Sequence, residues 1–203
     1  MGILQRSTAL TGANVVAFAY SLGVVTALPA WAGATRVVSD LDVEDRPVNV
    51  ILAQVKRTFV RDWWLSLATV VAFGLGAVSL VTAWGWFTGW QQVLILALLA
   101  AVYLTLGVLV VSYTRSAGTL PLGATRGQVM DQAMRRVIEY PGRSVLSALA
   151  VLVCLPLWVL APLAIAFGIV LPLWLVHRIW APIEVRVEDD DPLWNDEEAD
   201  DRR

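Results

Sequence analysis

From Trp63 to Thr114 the chain runs 52 residues without one charged side chain. A soluble domain has no use for such a stretch, because some face of it would meet water. A transmembrane helix needs about 20 apolar residues, so the run predicts two spans and a turn. Two further stretches are almost uncharged. Residues 7–35 carry no charge, and residues 144–177 carry only His177. The pattern predicts spans at about 9–31, 64–84, 91–113, 144–161 and 164–181. The second and third flank GWFTGWQQ, where Gly, Thr and Gln suit a tight turn. Trp84, Trp86 and Trp90 cluster there, as tryptophan does at the headgroup level. Residues 144–181 are long enough for two spans, or for one long span with a re-entrant piece. Two are favoured, with the turn at Leu160–Leu163, because Pro162 lacks a helical N–H and Pro156 and Pro172 can sit as kinks.

Two segments between spans carry a helical apolar stripe of their own. Over 48–62, Val48, Ile51, Leu52, Val55 and Phe59 recur at helical spacing, with Asn49, Lys56 and Arg57 off the stripe. Over 128–140, Met130, Ala133, Met134 and Val137 repeat the pattern, and Asp131–Arg135 and Arg135–Glu139 form i,i+4 pairs. Both read as interfacial helices on the inner membrane surface. Lys56, Arg57, Phe59, Arg61, Arg135 and Arg136 are the candidate surface for lipid headgroups or a partner. The expected class is therefore all-α: a polytopic membrane protein of about five spans plus two interfacial amphipathic helices, in one domain over 1–183.

Charge sets the expected orientation. The segment between spans one and two carries Arg36, Arg46, Lys56, Arg57 and Arg61. That between spans three and four carries Arg115, Arg126, Arg135, Arg136 and Arg143. The other two connections are uncharged. Positive loops stay in the cytoplasm, so five spans put the N-terminus outside and the C-terminus inside the cell membrane. A signal peptide is the rival reading of the first span, since Ala30-Trp31-Ala32 mimics a cleavage site. Its apolar stretch exceeds the roughly 7–15 residues of a signal h-region, and cleavage would strand basic residues outside.

Composition sharpens this picture in two places. The chain of 203 residues is 58% hydrophobic, against about 45–50% in soluble proteins. Its net charge of −2 hides an acidic segment at 184–203, with ten acids and three arginines, which reads as a disordered cytoplasmic tail. Leu193 and Trp194 between its acid blocks form a candidate docking motif.

The chemistry that would make an enzyme is missing from the sequence. No acid or base lies well inside an expected span, where it would cost about 2.5–3.5 kcal/mol and be kept for use. One histidine excludes an H-E-x-x-H zinc site, and no P-loop is present. Cys154 reads as a small apolar filler. The hydroxyls of Ser21, Thr26, Ser66, Thr69, Ser79 and Thr105 have no acid or histidine nearby in sequence, so backbone bonding is their expected role. Ala68, Ala72 and Gly76 make a small-residue ridge suited to close helix packing. Neither cofactor, metal nor nucleic acid is expected. The expected partners are the lipid bilayer, a membrane transporter complex, or further copies of the chain.

The order of parts carries a resemblance. Thr26 is followed by Pro29-Ala30 and then Ala34. A basic amphipathic helix with Phe59 leads into the second span. A second, with Ala133 and then Pro141, precedes the closing pair. Over about residues 10–181 this resembles the YesL-like family of small prokaryotic integral membrane proteins; the tail lies outside it. The resemblance implies a helical membrane domain of about this span count and supplies no catalytic residues. Members often look like neighbours of carbohydrate-uptake systems. It therefore implies a non-catalytic accessory or assembly factor for a transporter. The alternative is a small oligomeric permease or channel, which should show polar residues along one face of several spans.

Overall fold

The computed structural model describes residues 3–39, 47–154 and 167–189. Every regular element among them is helical. The order is α1 (Ile3–Leu22), a one-turn 3-10 helix (Val24–Thr26), α2 (Ala27–Ser39), α3 (Pro47–Trp86), α4 (Gly89–Thr119), α5 (Arg126–Glu139), α6 (Pro141–Cys154) and α7 (Val170–Asp189). Among the described residues, α3 and α4 are each long and apolar enough to cross a membrane. The α5–α6 pair, bent by 106° at its break, reaches that length only if counted as one element. The expected turn at Leu160–Leu163, with Pro156 and Pro162, and the docking motif at Leu193 and Trp194 lie outside the described residues.

The first expected span is not one helix. The chain breaks after Leu22, where Gly23 takes φ −80° and ψ 99°. Thr26 Oγ1 donates to Tyr20 O and to Gly23 O, competing with the backbone for helical carbonyls. The chain then turns back. Trp31 Nε1–H donates to Ser21 Oγ at 3.0 Å, across ten residues that would rise about 15 Å in a straight helix. Ala13 and Ala17 of α1 share one core with Ala30 and Ala34 of α2.

Helix α2 is the centre of the fold. Leu28, Pro29, Ala30, Ala32, Gly33, Ala34, Thr35, Val37 and Val38 are all buried. Small side chains bring its neighbours close. A Cβ on Gly33 would lie 3.0 Å from Ile51 Cα of α3, and one on Gly118 of α4 would lie 2.8 Å from both Ala32 O and Thr35 Cβ. Pro29 falls in the first turn of α2, where a helix has no use for the missing N–H.

Two helix starts are capped from other helices. Ser66 Oγ of α3 accepts from Leu28 N–H at 3.0 Å. Asn14 Oδ1 of α1, fully buried, accepts from Ile169 N–H at 2.8 Å and Val170 N–H at 2.9 Å. Buried helix ends need such partners wherever water is excluded.

Helices α3 and α4 form a hairpin that runs past this bundle. Gly89, at φ +65°, turns the chain into α4 beside Trp84, Trp86 and Trp90, which stay exposed. Of the small-residue ridge on α3, Gly76 packs under the Tyr103 ring of α4, and a Cβ there would overlap the ring. Ala68 instead faces outward and Ala72 is half-buried.

Two boundaries differ from those expected. The segment 48–62 is the first part of the 40-residue helix α3 and no separate surface helix. Helix α7 continues to Asp189, so the first residues of the acidic segment are helical and not structureless. Replacing Gly118 by leucine is expected to lower stability by about 1–3 kcal/mol, through overpacking between α4 and α2. Gly107→Ala is the control, because its Cβ meets nothing nearer than Ala148 Cβ at 4.0 Å. Thermal unfolding of the two variants in one detergent checks the difference.

Candidate functional site

The first third of α3 buries a stripe that is more polar than apolar: Ile51, Gln54, Val55, Thr58, Asp62 and Ser66. The opposite side leaves Leu52 38%, Val60 79% and Trp64 57% exposed. Of the expected membrane-facing stripe, Ile51 and Val55 are instead buried in the protein, Val48 and Phe59 are half-buried, and Leu52 stands exposed. The physical reason is the cost of polar groups. A buried amide, hydroxyl or carboxylate is tolerated where the protein supplies partners, whereas leucine and valine can face lipid.

Each polar member of the stripe finds a partner. Gln54 Nε2 donates to Ala117 O of α4 at 3.3 Å, and Thr58 Oγ1 donates to Gln54 O at 2.9 Å. The Asp62 carboxylate is fully buried. Arg61 Nε and Nη2 reach its two oxygens at 2.8 Å each, and Tyr113 O–H of α4 donates to Oδ1 at 2.6 Å. Charge-assisted bonds of this kind are short and strong, and the one from Tyr113 joins α3 to α4.

The same guanidinium also fixes the α4–α5 connection. Arg61 Nη1 donates to Ala124 O at 2.9 Å, and Arg126 Nε donates back to Arg61 O at 2.9 Å. Arg36, at the end of α2, donates to Leu120 O, and Arg136 Nη2 donates to Thr119 Oγ1 at 3.2 Å. Thr125 and Gln128 close α5 with a capping box. The arginines of three separate segments thus converge on one short loop.

A second node lies at Trp180 of α7, which is buried. The Arg115 and Arg136 guanidinium carbons stand 5.6 Å and 5.7 Å from the centre of its ring, within cation–π range. Tyr140 meets the ring edge-on at 5.9 Å, and Trp180 Nε1–H donates to Ser147 Oγ at 2.9 Å. One indole therefore joins α4, α5, α6 and α7.

The residues singled out from sequence do not share one surface. Lys56, Arg57 and Arg135 are exposed, and Arg135 pairs with Asp131 at 2.9 Å. Phe59 is half-buried. Arg61 and Arg136 turn inward, to Asp62 and to Trp180. Thr26, Pro29, Ala30 and Ala34 lie at the start and along the buried face of α2, where they shape the turn and admit its neighbours. Asp62, Tyr113 and Asn14 escaped the sequence reading. A signal for Asp62 was present: Gln54, Thr58, Asp62 and Ser66 recur every fourth residue. Arg115, buried as well, and Asp62 also bracket the charge-free run.

Chemically the arrangement is a lock. Both Asp62 oxygens accept bonds from fixed donors. Among the described residues no three His, Cys, Asp or Glu groups gather as metal ligands would. Hydroxyls in the helices bond locally: Ser21 to Ala17 O, Thr82 to Val78 O and Thr105 to Ala101 O. Comparison of the chain with protein-family models, curated proteins and solved structures gives no match. Asp62→Ala is expected to cost about 3–5 kcal/mol, the penalty for leaving a buried partner charge unpaired. Tyr113→Phe should cost about 1.5–3 kcal/mol, the worth of a hydrogen bond to a charged group. Denaturant unfolding of the single and double variants should give costs that do not add, since both act on one carboxylate.

Proposed function

We propose that this chain is a multi-pass protein of the cell membrane that works by binding and not by catalysis. We read it as an accessory or assembly factor for a membrane transporter, of the kind that takes up carbohydrate. The observation that carries the membrane placement is the outer surface of the α3–α4 hairpin. Val71, Leu75, Val78, Val81, Leu94 and Leu98 all stand exposed. A contiguous apolar surface of that extent marks a membrane or protein contact. Helix α5 adds Met130, Met134 and Ile138, exposed at four-residue spacing beside Arg135. Flexible methionines suit a contact surface that must fit a partner. The class of partner rests on the YesL-like resemblance.

The rival reading, an oligomeric permease or channel, draws less support. Its pore would need polar groups facing outward along several helices, whereas Thr82 and Thr105 turn their hydroxyls to their own helices.

The arginine end of the bundle, with the C-terminus, belongs in the cytoplasm by the positive-inside rule. With α1 folded back on α2, the N-terminus belongs at that same end. This reading replaces the outside position expected from a single first span.

A tagged copy purified in gentle detergent should bring down permease or solute-binding subunits of one transporter in fixed ratio, as read by mass spectrometry. A chain that runs by itself as a defined homo-oligomer would contradict the accessory role and favour the permease.

A further inference from the structure

A cavity of about 700 Å³ lies among α2, α3, α4 and α6, beyond the inner lock. Trp31, Phe73 and Tyr103 form its large walls, and Gly107 and Ala148 make room between α4 and α6. Its volume falls within the range of ligand sites, about 300–1,000 Å³.

Three observations define what would fill it. No charged residue lines it. Its side-chain hydroxyls are few: Ser66 Oγ is already taken by Leu28 N–H, and Thr69 and Tyr103 add one each. A sugar, with a hydroxyl on most of its carbons, would therefore lose more bonds to water than the lining can replace. Second, the cavity is long. Its wall on α3 runs over 66–74 and that on α4 over 100–111, roughly 12 Å and 16 Å at helical rise. That length lies along the hairpin axis, the direction in which lipid tails run. Third, it opens sideways. Val70, Phe73 and Leu152 both line it and stand 38%, 41% and 53% exposed. Its mouth is thus continuous with the outward apolar face of α3 and α4.

We infer that this cavity holds the hydrocarbon tail of a membrane lipid, entering sideways from the bilayer. A second cavity of about 230 Å³ shares Trp31, Val111 and Val151 with the first and reaches the start of α7 at Ile169. It gives the tail end room to continue past Trp31. The inference requires membrane insertion and is independent of any transporter partner.

The test uses the full chain in phosphatidylcholine vesicles containing a phosphatidylcholine with a photoactivatable diazirine near the end of one acyl chain. Adducts are mapped by peptide mass spectrometry. Outward Leu75, Val78, Leu94 and Leu98 report ordinary lipid contact. Trp31 and Tyr103, on the inner walls, should label as well. Gly107→Leu, which directs a side chain toward Ala148, should lower Trp31 labelling about tenfold and leave the outward residues unchanged. Ala148→Leu fills the same space from α6 and should do the same, so the result does not depend on one variant folding. Labelling of the outward residues without Trp31 and Tyr103, or Trp31 labelling that neither variant lowers, would overturn the lipid site. No labelling anywhere would overturn membrane insertion itself, and the lipid site with it.

Discussion

The carboxylate of Asp62 joins the two long helices at the level where they leave the bundle, and the surrounding order depends on that junction. A buried charge is tolerable only when it is paired and hydrogen-bonded. Arg61 within α3 and Tyr113 of α4 meet that demand, and the Tyr113 bond ties the rotation of α3 to α4. With Asp62 turned inward, Gln54, Thr58 and Ser66 turn inward too, because they share its face. Ser66 then stands where it can cap α2, and Gln54 where it can reach α4. Leu52, Val60 and Trp64 are carried to the outside by the same rotation. The bond from Tyr113 to Asp62 thus ties which side of α3 is turned toward α4 and which is turned outward.

The rest of the molecule follows the same rule. Where water is excluded, backbone and side-chain polar groups must be met from within the protein. Asn14 meets the start of α7, and Arg36 and Arg61 meet carbonyls of the α4–α5 connection. Small residues on α2 and α4 bring the backbones close enough for these bonds to form. Past Val70 the constraint eases, since the hairpin carries no charged side chain there and the hydroxyls of Thr82 and Thr105 bond within their own helices. The hairpin can there be held by packing such as Gly76 against Tyr103 and leave its outer faces to the bilayer.

Much of this was legible in the sequence. The charge-free run announced α3 and α4, and the Gly-rich, Trp-rich turn placed the hairpin tip. The periodicity of 128–140 announced α5. Less legible were rotation and direction. The apolar stripe on 48–62 reads as the membrane-facing side of a surface helix, whereas the polar stripe beside it is the one that needs protein partners. Hydropathy over 9–31 stays high across Gly23 because valines and alanines surround it; the break depends on Thr26 bonding to Tyr20 and Gly23, which no average registers. Asp62 stands just outside the apolar run, where a charge draws no notice. Its partner Tyr113 lies 51 residues away, at a distance that sequence spacing does not reveal.

The rotation of α3 is the claim on which the account rests, and cysteine accessibility reads it directly. In a Cys154→Ser background, single cysteines would replace Leu52, Gln54, Thr58 and Val60 in turn, in protein held in vesicles and treated with a lipid-soluble maleimide. The account predicts fast labelling at 52 and 60 and protection at 54 and 58. Fast labelling at 54 and 58 with protection at 52 and 60 would mean that Leu52 and Val60 face inward in place of Gln54 and Thr58, and would contradict it.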